Sequence, residues 1–127
     1  MRSSSDDAST ASLLVDRPTA WRGADTFLVP PPLRDGARVA LVAPAGPIRE
    51  RDVERAEATV QGLGWTPIVI GDVLARDGYL AGDDARRRDA LQRALDDDAI
   101  DAVWALRGGY GTTRLLPALD LRALAAR

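Results

Sequence analysis

Short Val-rich apolar runs alternate with helical patterns along this chain, and that alternation restricts its fold more than any other feature. Arg38 to Ala43 (RVALVA) is a nearly continuous apolar run, as expected of a strand buried on both faces of a parallel sheet. Pro44-Ala45-Gly46-Pro47 stops it in a turn. Val53, Ala56, Val60 and Leu63 then recur at helical spacing. They predict a helix over about 49–63 with one core-facing stripe, closed by Gly62 and Gly64. Thr66 to Ile70 (TPIVI) reads as a second strand, and Pro67 near its start favours an edge position or a strand beginning. A loop over 71–82 is long enough to suggest a specific job. Beyond it, Asp83 or Asp84 caps a helix whose apolar face is Ala90, Leu91, Ala94 and Leu95. Ile100 to Leu106 (IDAVWAL) is the third strand, with Val103, Trp104 and Leu106 as its apolar members. The order β-α-β-loop-α-β-loop-α predicts an α/β fold with a parallel sheet, flanking helices and right-handed crossovers.

The charged and flanking segments read more plainly. Asp84 with Arg88, and Asp89 with Arg93, are i,i+4 acid-before-base pairs, and Arg86-Arg87-Arg88 reads as a solvated helix face rather than a basic patch. Asp96-Asp97-Asp98 ends that helix as a turn rather than a calcium site. Thr112 or Thr113 is expected to cap a short helix carrying Leu115 and Leu116 and limited by Pro117. Asp120 is expected to cap a last amphipathic piece. Residues 1–30 lack a clear period and are expected to form a flexible arm. Pro30-Pro31-Pro32 acts as a stiff spacer, so the domain is placed at 31–127.

Composition narrows the chemistry. The chain of 127 residues has no His and no Cys, all 17 basic residues are Arg, and its last serine is Ser12. These absences exclude a Cys nucleophile, an imidazole base, a Cys/His zinc site and a disulfide within the sequence. A Walker-type phosphate loop lacks its Lys. The net charge of −2 gives no nucleic-acid footprint. No apolar run approaches a membrane span of roughly 20 residues, and nothing resembles a signal peptide. A cytoplasmic protein with no metal and no cofactor is the expectation.

In open α/β sheets, ligands bind beyond the carboxyl ends of the strands. Two segments fall there: Ala43 to Pro47, and Arg107-Gly108-Gly109-Tyr110-Gly111. The glycines allow close backbone approach, and a following helix N-terminus would offer N–H groups to a carboxylate or an oxyanion. The other reading of the second segment is a tight strand-to-helix turn that needs positive φ. Arg107 and Arg114 flank the glycines as candidate contacts for a substrate carboxylate. Their alternatives are a surface charge pair and a helix-face residue.

Two stretches, LRDGARVALVAPAGP and ARDGYLAGDDARRRDALQRALDDDAIDAVWALRGGYGTTRLLPALD, closely resemble the N-terminal part of LD-carboxypeptidases, which include muramoyltetrapeptide carboxypeptidase and microcin-immunity peptidases. VAPAGP, YLAG before an Arg/Asp-rich helix, RGGYG and RLLPALD match in order and spacing. The resemblance covers roughly residues 31–127. It implies a flavodoxin-like domain, similar to class I glutamine-amidotransferase domains and incomplete here at its C-terminal side. It also implies hydrolysis of the amide between an L-residue and a terminal D-amino acid in murein peptides, by a metal-free Ser-Glu-His triad. In the family the Ser lies in a G-x-S-D segment after the next strand, and the Glu and His lie in a C-terminal domain. No position here matches any of the three, so no catalytic residue carries over. What carries over is Gly108, Gly109 and Tyr110 as the substrate and oxyanion wall. The resemblance further implies a C-terminal domain as partner, a murein peptide or peptide-like substrate, and a homodimer as a common assembly. The chain alone is expected to be inactive and marginally stable, with an unpaired edge on its third strand. The rival reading is a non-catalytic α/β module that binds a small anion or ligand.

Overall fold

The computed structural model describes residues 29–126. The arm expected over 1–30 falls almost wholly outside these residues. The chain divides between Pro31 and Pro32, and the unit that follows is the α/β unit. Its elements are β1 (Arg38–Val42), α1 (Glu50–Gly62), β2 (Thr66–Val69), α2 (Asp84–Asp96), β3 (Ala102–Ala105), a 3-10 turn (Leu116–Ala118) and α3 (Arg122–Ala125).

The three strands form one parallel sheet in the order β2-β1-β3. The central strand is the one with the continuous apolar run, because only there are both faces covered. Val39, Ala40, Leu41 and Val42 are each at most 1% exposed. Their side chains alternate between two cores. Val39 and Leu41 meet Val60, Ala56 and Trp65 on the α1 side. Ala40 and Val42 meet Ile70, Ala94 and Ile100 on the α2 side. The two helices therefore cover opposite faces. Pro67 lies on an edge strand, as its missing N–H requires.

The C-terminus of α1 explains why the following chain turns back to the sheet. The N–H of Trp65 donates to Val60 O at 3.1 Å, and that of Gly64 donates to Gln61 O at 3.0 Å. This is a Schellman closure, and it needs the positive φ of +85° that Gly64 supplies. Trp65 then packs on Val60. At the other end of the unit, β3 is shorter than the run Ile100 to Leu106. Its Val103 and Trp104 are each 37% exposed, and among the described residues β3 pairs only with β1 and has no further strand on its other side.

Two expectations are corrected here. No helix starts at Thr112 or Thr113. The chain instead makes successive i→i+3 bonds, Leu115 N to Thr112 O at 3.0 Å and Ala118 N to Leu115 O at 3.0 Å, and only Leu116–Ala118 is helical, in 3-10 form. Pro117 removes the donor an α-helix would need there. The charge pairs on α2 also differ: Arg88 bonds its neighbour Asp89, and Asp84 pairs with Arg87 and Arg114. Asp83 is the cap, its Oδ1 accepting from Arg86 N at 2.7 Å. Asp97 turns the chain after α2, accepting from Ala99 N at 2.9 Å. Among the described residues no helix is long and apolar enough to cross a membrane.

Asp120 accepts from the Arg122 backbone N–H at 3.0 Å and from its guanidinium, closing the start of α3. That hydrogen bonding lowers its pKa from 3.8 to about 2. A depressed folded pKa stabilises the folded form above the unfolded pKa, and the effect is lost as pH falls through the folded one. The prediction is that Asp120 stays ionised through pH 3 and that α3 frays only near pH 2. An NMR titration of the Asp120 carboxyl and the Arg122 amide checks it, and a midpoint near 4 would contradict it.

Candidate functional site

Three segments meet beyond the carboxyl ends of β1 and β3. The first is Ala43–Pro47, after β1. It is buried rather than open: Ala45 is 0% exposed. The second is the loop over 71–82, which folds inward. Its Val73 and Ala81 join Ala43 and Ile48 in a small core of their own, and Ala81 N donates to Ala45 O at 2.8 Å. The third is Arg107–Gly111, after β3.

Arg87 joins all three. It is 2% exposed, so the solvated-face reading fails for this residue, while Arg86 is exposed and Arg88 half-buried. Its Nε donates to Gly82 O at 3.1 Å. A single nitrogen, Nη1, donates to Pro44 O at 2.8 Å and to Gly111 O at 2.9 Å. Nη2 bonds the Asp84 carboxylate. The planar fork of an Arg is the only side chain that can reach acceptors so dispersed. The helix phase carried the signal. Arg87 stands four residues before Leu91 and seven before Ala94, on the apolar stripe, whereas Arg86 and Arg88 stand to its sides.

The glycine loop is exposed from Gly108 to Tyr110 and buried at Gly111. Gly108 and Gly109 face open space, since a Cβ built on either would meet nothing within 4 Å. The backbone N–H groups of Gly108, Gly109 and Tyr110 have no acceptor among the described residues. They stand free on the loop itself, and the helix N-terminus expected behind them does not form. Gly111 is different. It has φ +108°, and a Cβ there would lie 2.5 Å from Leu80 Cδ2 and 3.1 Å from Arg87 Nη1. Tyr110 leans toward Tyr79 of the second segment, with ring centroids 5.6 Å apart and planes tilted by 49°. The two loop tips thus touch through aromatic rims.

The two flanking arginines separate in role. Arg114 pairs with Asp84 at 2.8 Å, and that contact raises its pKa further above the ordinary range. It sits in a turn, not on a helix face. Arg107 lies across the first segment. Its guanidinium rests on Gly46, where a Cβ would approach Cζ at 3.3 Å, and its Nη1 donates to Pro47 O at 3.3 Å. Arg107 also borders a concavity of about 520 Å³ together with Arg49, Arg55, Arg76 and Trp104. Gly108, Gly109 and Tyr110 do not line it. Among the described residues no group of three or more His, Cys, Asp or Glu is placed to hold a metal ion.

Comparison with known proteins gives this geometry a context. Residues 39–127 match the family model for the LD-carboxypeptidase N-terminal domain. A putative carboxypeptidase of Streptomyces coelicolor is 44% identical over 100 residues, which is 76% of this chain and 32% of that protein. The murein tetrapeptide carboxypeptidase of Pseudomonas aeruginosa is 43% identical over 89 residues, 70% of this chain and 29% of that protein. The crystal structure of muramoyltetrapeptide carboxypeptidase from Oxalobacter formigenes superposes with a TM-score of 0.62 at 33% identity, covering 71% of this chain and 30% of that one. The chain therefore spans about a third of the length of the curated relatives it matches.

Proposed function

The chain belongs to the LD-carboxypeptidase family through its N-terminal domain, and on that premise we propose that it supplies the substrate-binding wall of a serine carboxypeptidase. The reaction is hydrolysis of the amide between an L-residue and a terminal D-amino acid in murein peptides. The observation that carries this reading is the exposed Gly108-Gly109-Tyr110 backbone, with its N–H groups unpaired, at the carboxyl end of a parallel strand.

In amide hydrolysis, negative charge develops on the scissile oxygen as a nucleophile adds to the carbonyl. Preorganised N–H donors stabilise that charge. Gly108 and Gly109 are suited to this because nothing projects from them toward the approaching peptide. Tyr110, braced by Tyr79, forms the rim. Arg107 is the candidate for the terminal carboxylate of the substrate, since only one backbone acceptor occupies its guanidinium. Arg114 is committed to Asp84 and serves the loop's position instead. The nucleophile, its base and the third triad member come from the C-terminal domain and the segment leading to it, because this sequence has no His and no Ser beyond Ser12. The domain organisation is then 1–30 as an arm and 31–127 as the wall domain. The assembly is a cytoplasmic enzyme of murein turnover that forms homodimers.

The test is reconstitution. The chain is joined to the C-terminal portion of the Pseudomonas aeruginosa relative, and D-alanine release from a murein tetrapeptide is measured. The joined protein is expected to release D-alanine and the chain alone to release none. In the joined protein Arg107→Gln is expected to raise KM about tenfold or more, the loss of one charge-assisted contact, and to act less on a peptide with an amidated C-terminus. D-alanine release by the chain alone would sink the proposal. So would tight binding of a small anion by the chain alone with no turnover after joining, which would favour the binding-module reading.

A further inference from the structure

We propose that Arg87 is the positioning residue of this site: its buried guanidinium fixes the spacing of the Pro44, Gly82 and Gly111 segments, and Asp84 extends that setting to Arg114 beyond the glycine loop. The role in the reaction rests on the function proposed above, while the arrangement stands by itself.

A buried Arg is a poor way to stabilise a core. Taking a guanidinium out of water is costly, and an apolar residue of similar size often serves stability as well or better. The neighbours on the same stripe, Ala94 and Leu95, are apolar and buried. What an apolar residue cannot do is bind three main-chain carbonyls that belong to three separate loops. Here those carbonyls are Pro44, Gly82 and Gly111, and each loop is one the site uses. Two of them share one nitrogen, so the separation of the first loop from the glycine loop is set at a single atom. No buried side-chain polar atom among the described residues is left without a partner, so the fork is matched on every side that matters. Asp84 supplies the counter-charge. It also holds Arg114 at 2.8 Å, which fixes the chain three residues past Gly111. The chain leaving the glycine loop is thereby held at two points, at Gly111 by Arg87 and at Arg114 by Asp84, while Gly108–Tyr110 between β3 and Gly111 stays open.

The alternative is that Arg87 merely balances the charge of Asp84. A lysine would then serve, because it carries the same charge on a flexible stem. If position is the point, a lysine fails, because its donors radiate from one atom and cannot span the three carbonyls. The experiment is hydrogen exchange on the 127-residue chain and on Arg87→Lys, with NMR of the arginine side chains in the unsubstituted chain. The Arg87 Nε–H signal is expected to be protected from exchange in the unsubstituted chain. In Arg87→Lys the Ala81 and Leu115 amides are expected to exchange at least about tenfold faster, while the Ile70 and Leu106 amides of the sheet stay within about threefold. An unprotected Arg87 Nε–H would overturn the proposal, even if every variant failed to fold. Full protection of the loops in Arg87→Lys would overturn it too, as would equal loss in loops and sheet. None of these readings depends on catalysis. In the joined enzyme Arg87→Lys is expected to lower kcat/KM at least about tenfold. Loosened loops with unchanged kcat/KM would refute the positioning role and leave the enzyme reading intact.

Discussion

Gly111→Ala is expected to lower the stability of the domain by about 2–6 kcal/mol. Two costs add. A φ of +108° is one that L side chains rarely adopt, and holding a residue there costs on the order of 1–3 kcal/mol. The new Cβ would also stand 2.5 Å from Leu80 Cδ2, and overpacking of this kind costs about 1–3 kcal/mol. Leu80 is itself buried, and the Arg87 guanidinium lies on the same side, so neither neighbour can retreat without disturbing the loops they hold. Set against a typical total of about 5–15 kcal/mol, the change is large. Thermal melting followed by circular dichroism should show a drop of at least about 10 °C, and a drop of under about 2 °C would contradict the close packing described for this glycine.

The particular elements show what the sequence discloses and where it stops. The Val-rich run of β1 and the Val53, Ala56 and Val60 stripe of α1 could be read directly, because burial on a sheet face or a helix face leaves a fixed period in the chain. Leu63, expected on the same stripe, caps the helix and is 51% exposed. The edge position of β2 was legible from Pro67. The C-terminal stop of α1 was legible from Gly62 and Gly64, though not its Schellman form. The glycine loop was placed correctly at the carboxyl end of β3, yet its glycines proved unlike one another. Gly108 and Gly109 face open space and Gly111 faces Leu80 and Arg87, and nothing in the string RGGYG tells them apart. The expected helix after the loop failed because Pro117 removes the donor an α-helix would need, leaving a 3-10 turn at Leu116–Ala118. Arg87 was hidden by company, being the middle member of three identical residues. Its role depends on carbonyls at positions 44, 82 and 111, contacts that only the folded chain brings together.

That contrast within one loop supplies the decisive experiment. Gly108 has no positive φ to preserve, and a Cβ added to it meets no atom within 4 Å beyond its two chain neighbours. Gly108→Val should therefore leave the fold as it is, with a melting temperature within about 2 °C of the original. The same side chain would project into the space assigned to the substrate. In the protein joined to the C-terminal portion of the Pseudomonas aeruginosa relative, kcat/KM for D-alanine release is expected to fall at least about a hundredfold. Unchanged kcat/KM with an unchanged melting temperature would place the substrate elsewhere and contradict the assignment of this loop as the wall of the site.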